Sequence, residues 1–287
     1  MTRLPFRIQM PETRDTAVVF ASPHSGSEYP WDFIRESRLD EVTIRSSEDA
    51  FVDRLYSAAP DFGAPLLSTD VPRAYVDLNR SAEELDPALI SGVRQTGHNP
   101  RISSGLGVIP RVVANGREIR SGKISAREAQ ERLSLFYHPY HAKLSELLQE
   151  ARAAHGFSLL FDCHSMPSDA LLGMTFPNGV RPEIVLGDRF GVSCAPAIIE
   201  AAETAFVAEG FRVSRNLPFA GAFVAQQYGR PSSAQHCVQI EIDRSIYMNE
   251  GDLTPRDDFD LVQARLSKVI QRLTELGRTE ELREAAE

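Results

Sequence analysis

The sequence predicts an α/β fold in which a mixed, mostly parallel central sheet is flanked by helices. Short apolar runs with polar ends alternate along the chain with longer segments of helical periodicity, a pattern typical of sheets covered by helices. Three of these runs, at residues 18–26, 159–165 and 238–244, end in or carry a histidine or a glutamate. Because the carboxyl ends of strands in an open α/β sheet face the ligand crevice, we expect the functional site there.

Composition limits the class of protein. The chain has 287 residues, which is enough for one large α/β domain, and we expect a single domain over residues 1–287. No apolar run approaches the roughly 20 residues that span a bilayer, and the N-terminus lacks the apolar segment of a signal peptide. We therefore expect a cytoplasmic protein without a membrane partner. A net charge of −9 without a basic run argues against a nucleic-acid partner.

The first half of the chain is predicted to contain three strands, one helix start and a long loop. A turn-rich loop follows the first strand over residues 23–30. The run Ser46-Ser47-Glu48-Asp49 places capping residues and acids ahead of apolar residues at helical spacing, which predicts a helix start. Residues 81–123 lack periodicity, so we expect a long loop or a small β excursion near the site. The strands are predicted at residues 17–22, 64–68 and 73–78.

The second half alternates further strands with longer helices. The run Ser125-Ala126-Arg127-Glu128 matches a capping box and opens a helix that continues to residue 154, with an interruption before Pro139. Residues 219–229 contain glycine and aromatic residues and are predicted to form a loop. Strands are predicted at residues 157–163, 183–187, 211–214 and 236–243, and helices at residues 195–209 and 254–277.

Histidines and carboxylates near the predicted strand ends provide the parts of a metal hydrolase. Zinc hydrolases hold the ion with three protein ligands, often two His and one carboxylate, and leave one position for water. His24 and His164 lie just past two predicted strands, and Glu48 and Asp49 lie at the predicted helix start. Glu241, between two isoleucines of the last strand, is the candidate for the carboxylate that takes a proton from water and returns it to the leaving nitrogen.

Five sequence blocks resemble one known family. In chain order they are Ser22-Pro23-His24-Ser25-Gly26 with Tyr29-Pro30, DAFVDRLY at 49–56, RAYVDLNR at 73–80, Asp162-Cys163-His164-Ser165, and QIEIDRSIYM at 239–248. Together they resemble the N-formylglutamate amidohydrolase family, the last two blocks most specifically. The resemblance implies a phosphorylase/hydrolase-like α/β fold akin to zinc carboxypeptidases and one divalent metal ion per chain, usually taken to be Zn²⁺. It also implies hydrolysis of N-formyl-L-glutamate to formate and glutamate in histidine breakdown.

The same resemblance implies roles for the candidate site residues. His24 and His164 would bind the metal ion, and Glu241 would act as the general base. The acidic ligand would be Asp49, which matches the family's block, with the adjacent and longer Glu48 as the alternative.

The substrate side of the site is expected to be cationic. Asn79 and Arg80 resemble the Asn-Arg pair that binds a terminal carboxylate in the wider superfamily. Because the implied substrate is a small dianionic N-acyl amino acid and the protein is itself negative, its pocket needs local positive charge, and arginine binds carboxylates through two hydrogen bonds. Arg80 is the first candidate, followed by Arg244, Arg111 and Arg73.

The remaining polar residues near the site have supporting or structural interpretations. Asp162, two residues before His164, is a candidate for orienting a ligand histidine. Cys163 is expected to point into the core, because alternate strand residues face opposite sides of a sheet. His138 and His141, three residues apart on an interrupted helix, are interpreted as structural.

One block departs from the family pattern, and it bears on specificity. Residues 220–229 lack the second glycine, the threonine and the histidine that are common in the family at this point. A relative that acts on another N-acyl amino acid is therefore one alternative. The sequence is also compatible with an amidase or peptidase of the zinc carboxypeptidase-like superfamily, and with a non-catalytic metal- or ligand-binding relative, although the presence of Glu241 argues against the last.

Overall fold

The computed structural model describes residues 5–94, 99–176 and 179–278. Seven strands form one sheet in the order β1-β3-β2-β4-β7-β5-β6. They are β1 (Phe6–Gln9), β2 (Val18–Ser22), β3 (Leu66–Thr69), β4 (Ser158–Met166), β5 (Ile184–Gly187), β6 (Val213–Arg215) and β7 (Gln235–Asp243). Two short strands, β8 (Met248–Asn249) and β9 (Thr254–Pro255), pair separately.

The centre of the sheet is parallel. β4 pairs in parallel with β2 on one side and with β7 on the other, whereas β5 runs antiparallel to β7 and parallel to β6. All nine residues of β4 are buried, which explains why its sequence is an apolar run that lacks polar alternation. The predicted mixed, mostly parallel sheet flanked by helices is confirmed.

Nine α-helices occur in the described part of the chain. They are α1 (Trp31–Glu36), α2 (Glu41–Arg45), α3 (Val52–Leu55), α4 (Pro100–Ser103), α5 (Ala126–Arg132), α6 (His138–His155), α7 (Pro196–Ala208), α8 (Phe223–Tyr228) and α9 (Phe259–Leu276). None of those helices is long and apolar enough to cross a lipid bilayer.

The chain divides into two compact units. The first comprises the described residues of the ranges 1–7, 23–50 and 68–143. Its apolar core contains Phe33, Ile44, Ala74, Val113 and Ile119. Arg132 is also buried there, with its guanidinium 4.0 Å from the centroid of the Tyr75 ring, so this cation is stabilised by an aromatic face.

The second unit comprises the described residues of the ranges 8–22, 51–67 and 144–287. It contains the parallel centre of the sheet, and α9 covers it with a row of buried side chains one helical turn apart. These are Phe259, Val262, Leu266, Val269, Ile270 and Leu273.

The predicted interruption of the long helix is present and has an unusual form. Ser125 caps α5 by accepting a hydrogen bond from the Glu128 backbone N–H at 3.0 Å. The Glu128 carboxylate accepts a hydrogen bond from Arg132. A π-helical segment, Leu133–Tyr137, then joins α5 to α6 just before Pro139, so the regular hydrogen-bond pattern changes next to the residue that has no N–H to donate.

One predicted strand of the first unit is wrong, and one predicted helix start is displaced. Residues 73–78 were expected to form a strand but form turns, in which Tyr75 N–H donates to Pro72 and Asp77 N–H donates to Val108. Burial alternates over residues 73–76, as it does in a strand. The predicted helix start at residues 46–49 is displaced: α2 ends before them, Asp49 N–H donates to the carbonyl of His24 at 3.0 Å, and the helix that follows, α3, begins at Val52.

Element boundaries differ in the second unit. The predicted strand at 157–163 continues to Met166, so His164 lies inside β4 rather than after it. The predicted loop at 219–229 contains α8. The last helix begins at Phe259, because residues 254–255 pair as a strand with β8.

Candidate active site

His24 is the second residue after β2 and is held by the chain around it. Its carbonyl accepts a hydrogen bond from Asp49 N–H at 3.0 Å, and its Nδ1 lies 3.5 Å from Oδ2 of Asp49. The loop is tight at Gly26, where a Cβ atom would overlap the carbonyl oxygen of Val71 and lie 2.7 Å from the carbonyl carbon of Asp70. The main chain therefore sets the relative position of His24 and Asp49.

Asp77 fixes the other side of the His24 ring. Nε2 of His24 lies 2.8 Å from Oδ1 of Asp77, and both side chains are almost fully buried. Burial alone would raise the pKa of Asp77, but Arg73, Arg80 and His24 together hold that pKa well below its ordinary value. A carboxylate accepts only, so Nε2 donates to Asp77, and in the neutral imidazole Nδ1, on the side of Asp49, then offers a lone pair.

Sequence reasoning missed Asp77. It lies in the block RAYVDLNR, in which arginines and Asn79 alone were predicted to be functional. The signal that could have identified it is its spacing: its Oδ1 also accepts the backbone N–H of Asn79 at 2.8 Å, a common turn in which an aspartate bonds two residues ahead.

His164 and Asp162 lie two residues apart on β4, so their side chains share one face of the sheet. Nε2 of His164 lies 2.9 Å from Oδ2 of Asp162, which is fully buried. Cys163 is also fully buried, and burial raises the pKa of its thiol well above the ordinary value. A thiol in that state does not act as a nucleophile at neutral pH.

His24, Asp49 and His164 could together hold a metal ion. Within the described ranges they are the group in which each residue offers one ligand atom and these atoms all lie within 4.8 Å of one another. The three side chains are at most 2% exposed. Two imidazole nitrogens and a carboxylate oxygen are a donor set that suits Zn²⁺, and a cation would offset the buried negative charge of Asp49.

Glu48, the alternative acidic ligand, is engaged elsewhere. Arg45 binds its carboxylate through two nitrogens, at 3.0 Å from Nε to Oε1 and 3.1 Å from Nη2 to Oε2. This pair explains why a buried glutamate is tolerated next to Asp49. The geometry therefore favours Asp49 over Glu48 as the acidic ligand.

Glu241 lies on β7 beside His164. The two residues are partners in the parallel register of β4 and β7, so their side chains lie on the same face. The carboxylate is 8% exposed, and its Oε1 accepts a hydrogen bond from Nε2 of Gln239 at 2.8 Å. It is thus a buried, oriented carboxylate on the face that carries His164.

An apolar cluster continues this face. Met166 is two residues beyond His164 on β4, and Val185 is the register partner of Glu241 on β5. They pack together with Leu171, Phe176 and Phe219. The sheet face that carries His164 and Glu241 is therefore bordered by this apolar cluster, which forms an apolar wall in the second unit.

The predicted arginines have different surroundings. Arg80 is 8% exposed, its Nε donates to the Leu106 carbonyl at 3.1 Å, and Arg73 bonds Asp77 from Nε at 3.0 Å. The two guanidinium groups thus lie close to Asp77. Burial and the neighbouring cation Arg73 lower the pKa of Arg80, whereas Asp77 raises it.

The other two predicted arginines also have side-chain partners. Arg244 follows β7 in a 3₁₀ turn capped by Asp243, and its Nε donates to Ser165 Oγ at 3.1 Å. Arg111 pairs with buried Asp86, with 2.9 Å between Nε and Oδ2. The guanidinium of Arg111 therefore pairs with a carboxylate of its own loop.

Comparisons with known proteins agree on one family. The family model described as N-formylglutamate amidohydrolase matches residues 16–248. The N-formylglutamate deformylase of Pseudomonas aeruginosa is 30% identical over 236 residues, 81% of this chain and 82% of that protein. That of Pseudomonas putida is 28% identical over 265 residues, 91% and 93% of the two proteins. A crystal structure of N-formylglutamate amidohydrolase from Ralstonia eutropha JMP134 matches with a TM-score of 0.89 and 34% identity, covering 96% of this chain and 99% of that one.

Proposed function

The chain belongs to the N-formylglutamate amidohydrolase family and is a hydrolase of a linear amide C–N bond; from this premise we propose that it converts N-formyl-L-glutamate to formate and glutamate with a divalent metal ion. The observation that carries the proposal is the His24, Asp49 and His164 group, with Glu241 beside His164 in the register of the sheet.

His24, Asp49 and His164 are the proposed ligands of that ion. Asp77 holds the His24 ring in the tautomer whose Nδ1 lone pair is available for a metal. Asp162, at 2.9 Å from Nε2 of His164, supports the second imidazole. When bound, Zn²⁺ would polarise the formyl carbonyl and lower the pKa of a water molecule.

Glu241 is the proposed base. Its carboxylate would take a proton from the attacking water and return it to the amino nitrogen of glutamate as the C–N bond breaks. Burial in a face bordered by apolar side chains excludes bulk water from this transfer.

Arginines are the proposed carboxylate receptors. Arg80 and Arg73, with Asn79, place cationic and polar groups around Asp77 in the first unit, and Arg244 does so next to Ser165 in the second. A planar guanidinium can bind a carboxylate through two hydrogen bonds. Arg111 is proposed to support its loop through Asp86, because that pair occupies its guanidinium.

A substrate panel with and without a chelator tests the proposed function. N-formyl and N-acetyl derivatives of Glu, Asp, Gln and Met are compared by release of the free amino acid. We expect N-formyl-L-glutamate to give the highest kcat/KM, the chelator to abolish turnover, and added Zn²⁺ to restore it. Full activity in metal-free protein would refute the metal site, and no turnover of any N-acyl amino acid would refute the reaction.

A second candidate substrate is another N-acyl amino acid. It is favoured by the apolar cluster of Met166, Val185 and Phe219 and by the divergent block at residues 220–229. If the N-acetyl compounds exceed the N-formyl compounds in the same panel, this second assignment replaces the first.

A further inference from the structure

Gln239 connects two parts of the second unit. Its side chain is 3% exposed, its Oε1 accepts a hydrogen bond from the backbone N–H of Ala222 at 2.9 Å, and its Nε2 donates to Oε1 of Glu241 at 2.8 Å. A backbone N–H requires an acceptor and a carboxylate requires a donor. The two neighbours therefore determine which way the amide points.

Ala222 ends a short segment, residues 219–222, that is pressed against β5. The backbone N–H of Arg189 donates to the Ala220 carbonyl at 2.7 Å. A Cβ atom at Gly187 would lie 2.7 Å from the carbonyl carbon of Ala220 and 2.8 Å from the nitrogen of Gly221, so only glycine allows this approach. The segment is thus fixed on the side of β5, and Gln239 ties its other end to β7.

The segment also lies beside the proposed base. Phe219 packs against the cluster of Met166, Leu171 and Val185, and Val185 is the register partner of Glu241. Residues 220–222 belong to the block that departs from the family pattern. One buried amide thus bonds both the divergent segment and the carboxylate on which the proposed chemistry depends.

We propose that Gln239 is a positioning residue that orients the Glu241 carboxylate and locks segment 219–222 to it. The inference rests on the proposed function, because it takes Glu241 as the base. The donated hydrogen bond limits rotation of the carboxylate, and a proton-transfer group that is misaligned by about 1 Å can cost on the order of a hundredfold in rate. The accepted bond holds the apolar wall at a fixed distance from the same carboxylate.

Two substitutions separate the two hydrogen bonds. Gln239→Met keeps the length of the side chain and removes both bonds, whereas Gln239→Glu keeps the acceptor for Ala222 and replaces the neutral donor to Glu241 with a second carboxyl group. Because two carboxylates at this distance cannot both be ionised, Glu241 should then be a poorer base. We expect both variants to lower kcat for N-formyl-L-glutamate by about ten- to a hundredfold with little change in KM. Gln239→Met should also change the ratio of kcat/KM between N-formyl- and N-acetyl-glutamate, whereas Gln239→Glu should preserve that ratio.

Gln271→Glu is the matched control. Gln271 is exposed on α9, so the same change of an amide to a carboxylate should leave kcat and KM at wild-type values. A second control uses Glu241→Gln as the background. If Gln239 acts through Glu241, then Gln239→Met should cause no further loss of the residual kcat there, whereas a purely structural role would cost the same factor in both backgrounds.

The outcomes distinguish this inference from the proposed function. Wild-type protein without turnover would refute the function itself. An active wild type whose folded Gln239→Met and Gln239→Glu variants keep kcat would overturn the inference alone. A loss of kcat that is accompanied by a matching fall in the thermal midpoint, and that persists in the Glu241→Gln background, would also overturn it. If Gln239→Met does not fold, then Gln239→Glu, which retains the Ala222 bond, decides the question through the same background test.

Discussion

At the scale of single residues, the site depends on how its acids are partnered. Glu48 and Asp49 are adjacent in sequence and both buried. Arg45 forms an ion pair with Glu48, whereas Asp49 lies 3.5 Å from His24. Asp77 likewise bonds His24 while two arginines keep it ionised. Each carboxylate thus has a distinct partner, and each partner suggests a distinct function.

Asp77→Asn should weaken zinc binding. The amide can still accept the His24 hydrogen bond, but it loses the negative charge that strengthens the imidazole as a ligand, so we expect an affinity about 10- to 100-fold lower. The measurement is competition with a chromophoric chelator.

Asp86→Asn is the control for that substitution. Asp86 is equally buried and pairs with Arg111, but no hydrogen bond to a histidine is described for it. Zinc affinity should stay at the wild-type value in this variant even if stability falls. Equal zinc affinity in Asp77→Asn and wild type would exclude the supporting role of Asp77.

At the scale of elements, the loop after β2 requires glycine at position 26. Gly26→Ala would force its methyl group onto the Val71 carbonyl, so we expect a loss of about 1–3 kcal/mol in the free energy of unfolding and weaker zinc binding. Chemical denaturation measures the first effect.

Gly251→Ala is the matched substitution, because a Cβ there meets open space. Its effect on the free energy of unfolding should lie within about 0.5 kcal/mol. If Gly26→Ala is equally neutral in both stability and zinc binding, the tight approach at Gly26 does not position His24.

Strands that are buried along almost their whole length were predicted correctly from the sequence. β2, β4 and β7 are buried along almost their whole length, and apolar runs identify such strands reliably. Residues 73–78 show the limit of this reasoning, because a turn can bury alternate side chains as a strand does. α8 was missed because its six residues are too few to establish a period.

The candidate site was predictable where it follows strands and unpredictable where it depends on distant partners. His24 and His164 were selected as candidates because they follow predicted strands, and Glu241 because it lies between two isoleucines of the last predicted strand. Asp77 and Gln239 bond His24 and Ala222 through contacts that the tertiary fold creates. The local turn of Asp77 with Asn79 marks the aspartate but does not indicate which histidine it contacts. The choice between Asp49 and Glu48 did have a local signal, since Arg45 precedes Glu48 by three residues and pairs with it.

At the scale of the whole molecule, a ligand that binds only the folded chain must stabilise it. Zinc at about 100 times its dissociation constant should add about 2.7 kcal/mol, which we expect to raise the thermal midpoint by about 5 °C or more. The comparison is a thermal scan with and without added Zn²⁺.

Two adjacent substitutions make this measurement specific. Asp49→Asn should abolish the zinc-dependent shift, whereas Glu48→Gln should retain it despite losing the pair with Arg45. The opposite pattern would assign the acidic ligand to Glu48.

The sheet order has a consequence for how the protein is made. β2 lies between β3 and β4, and Val18 is paired with Leu159 in the register. On the ribosome, β2 and β3 emerge long before β4 is synthesised, and β7 follows later still. Contacts between residues so distant in sequence form slowly, because the intervening chain must first be closed into a loop. The nascent chain therefore carries an exposed strand edge for most of its synthesis, and chaperones that cover such edges should bind it during that interval.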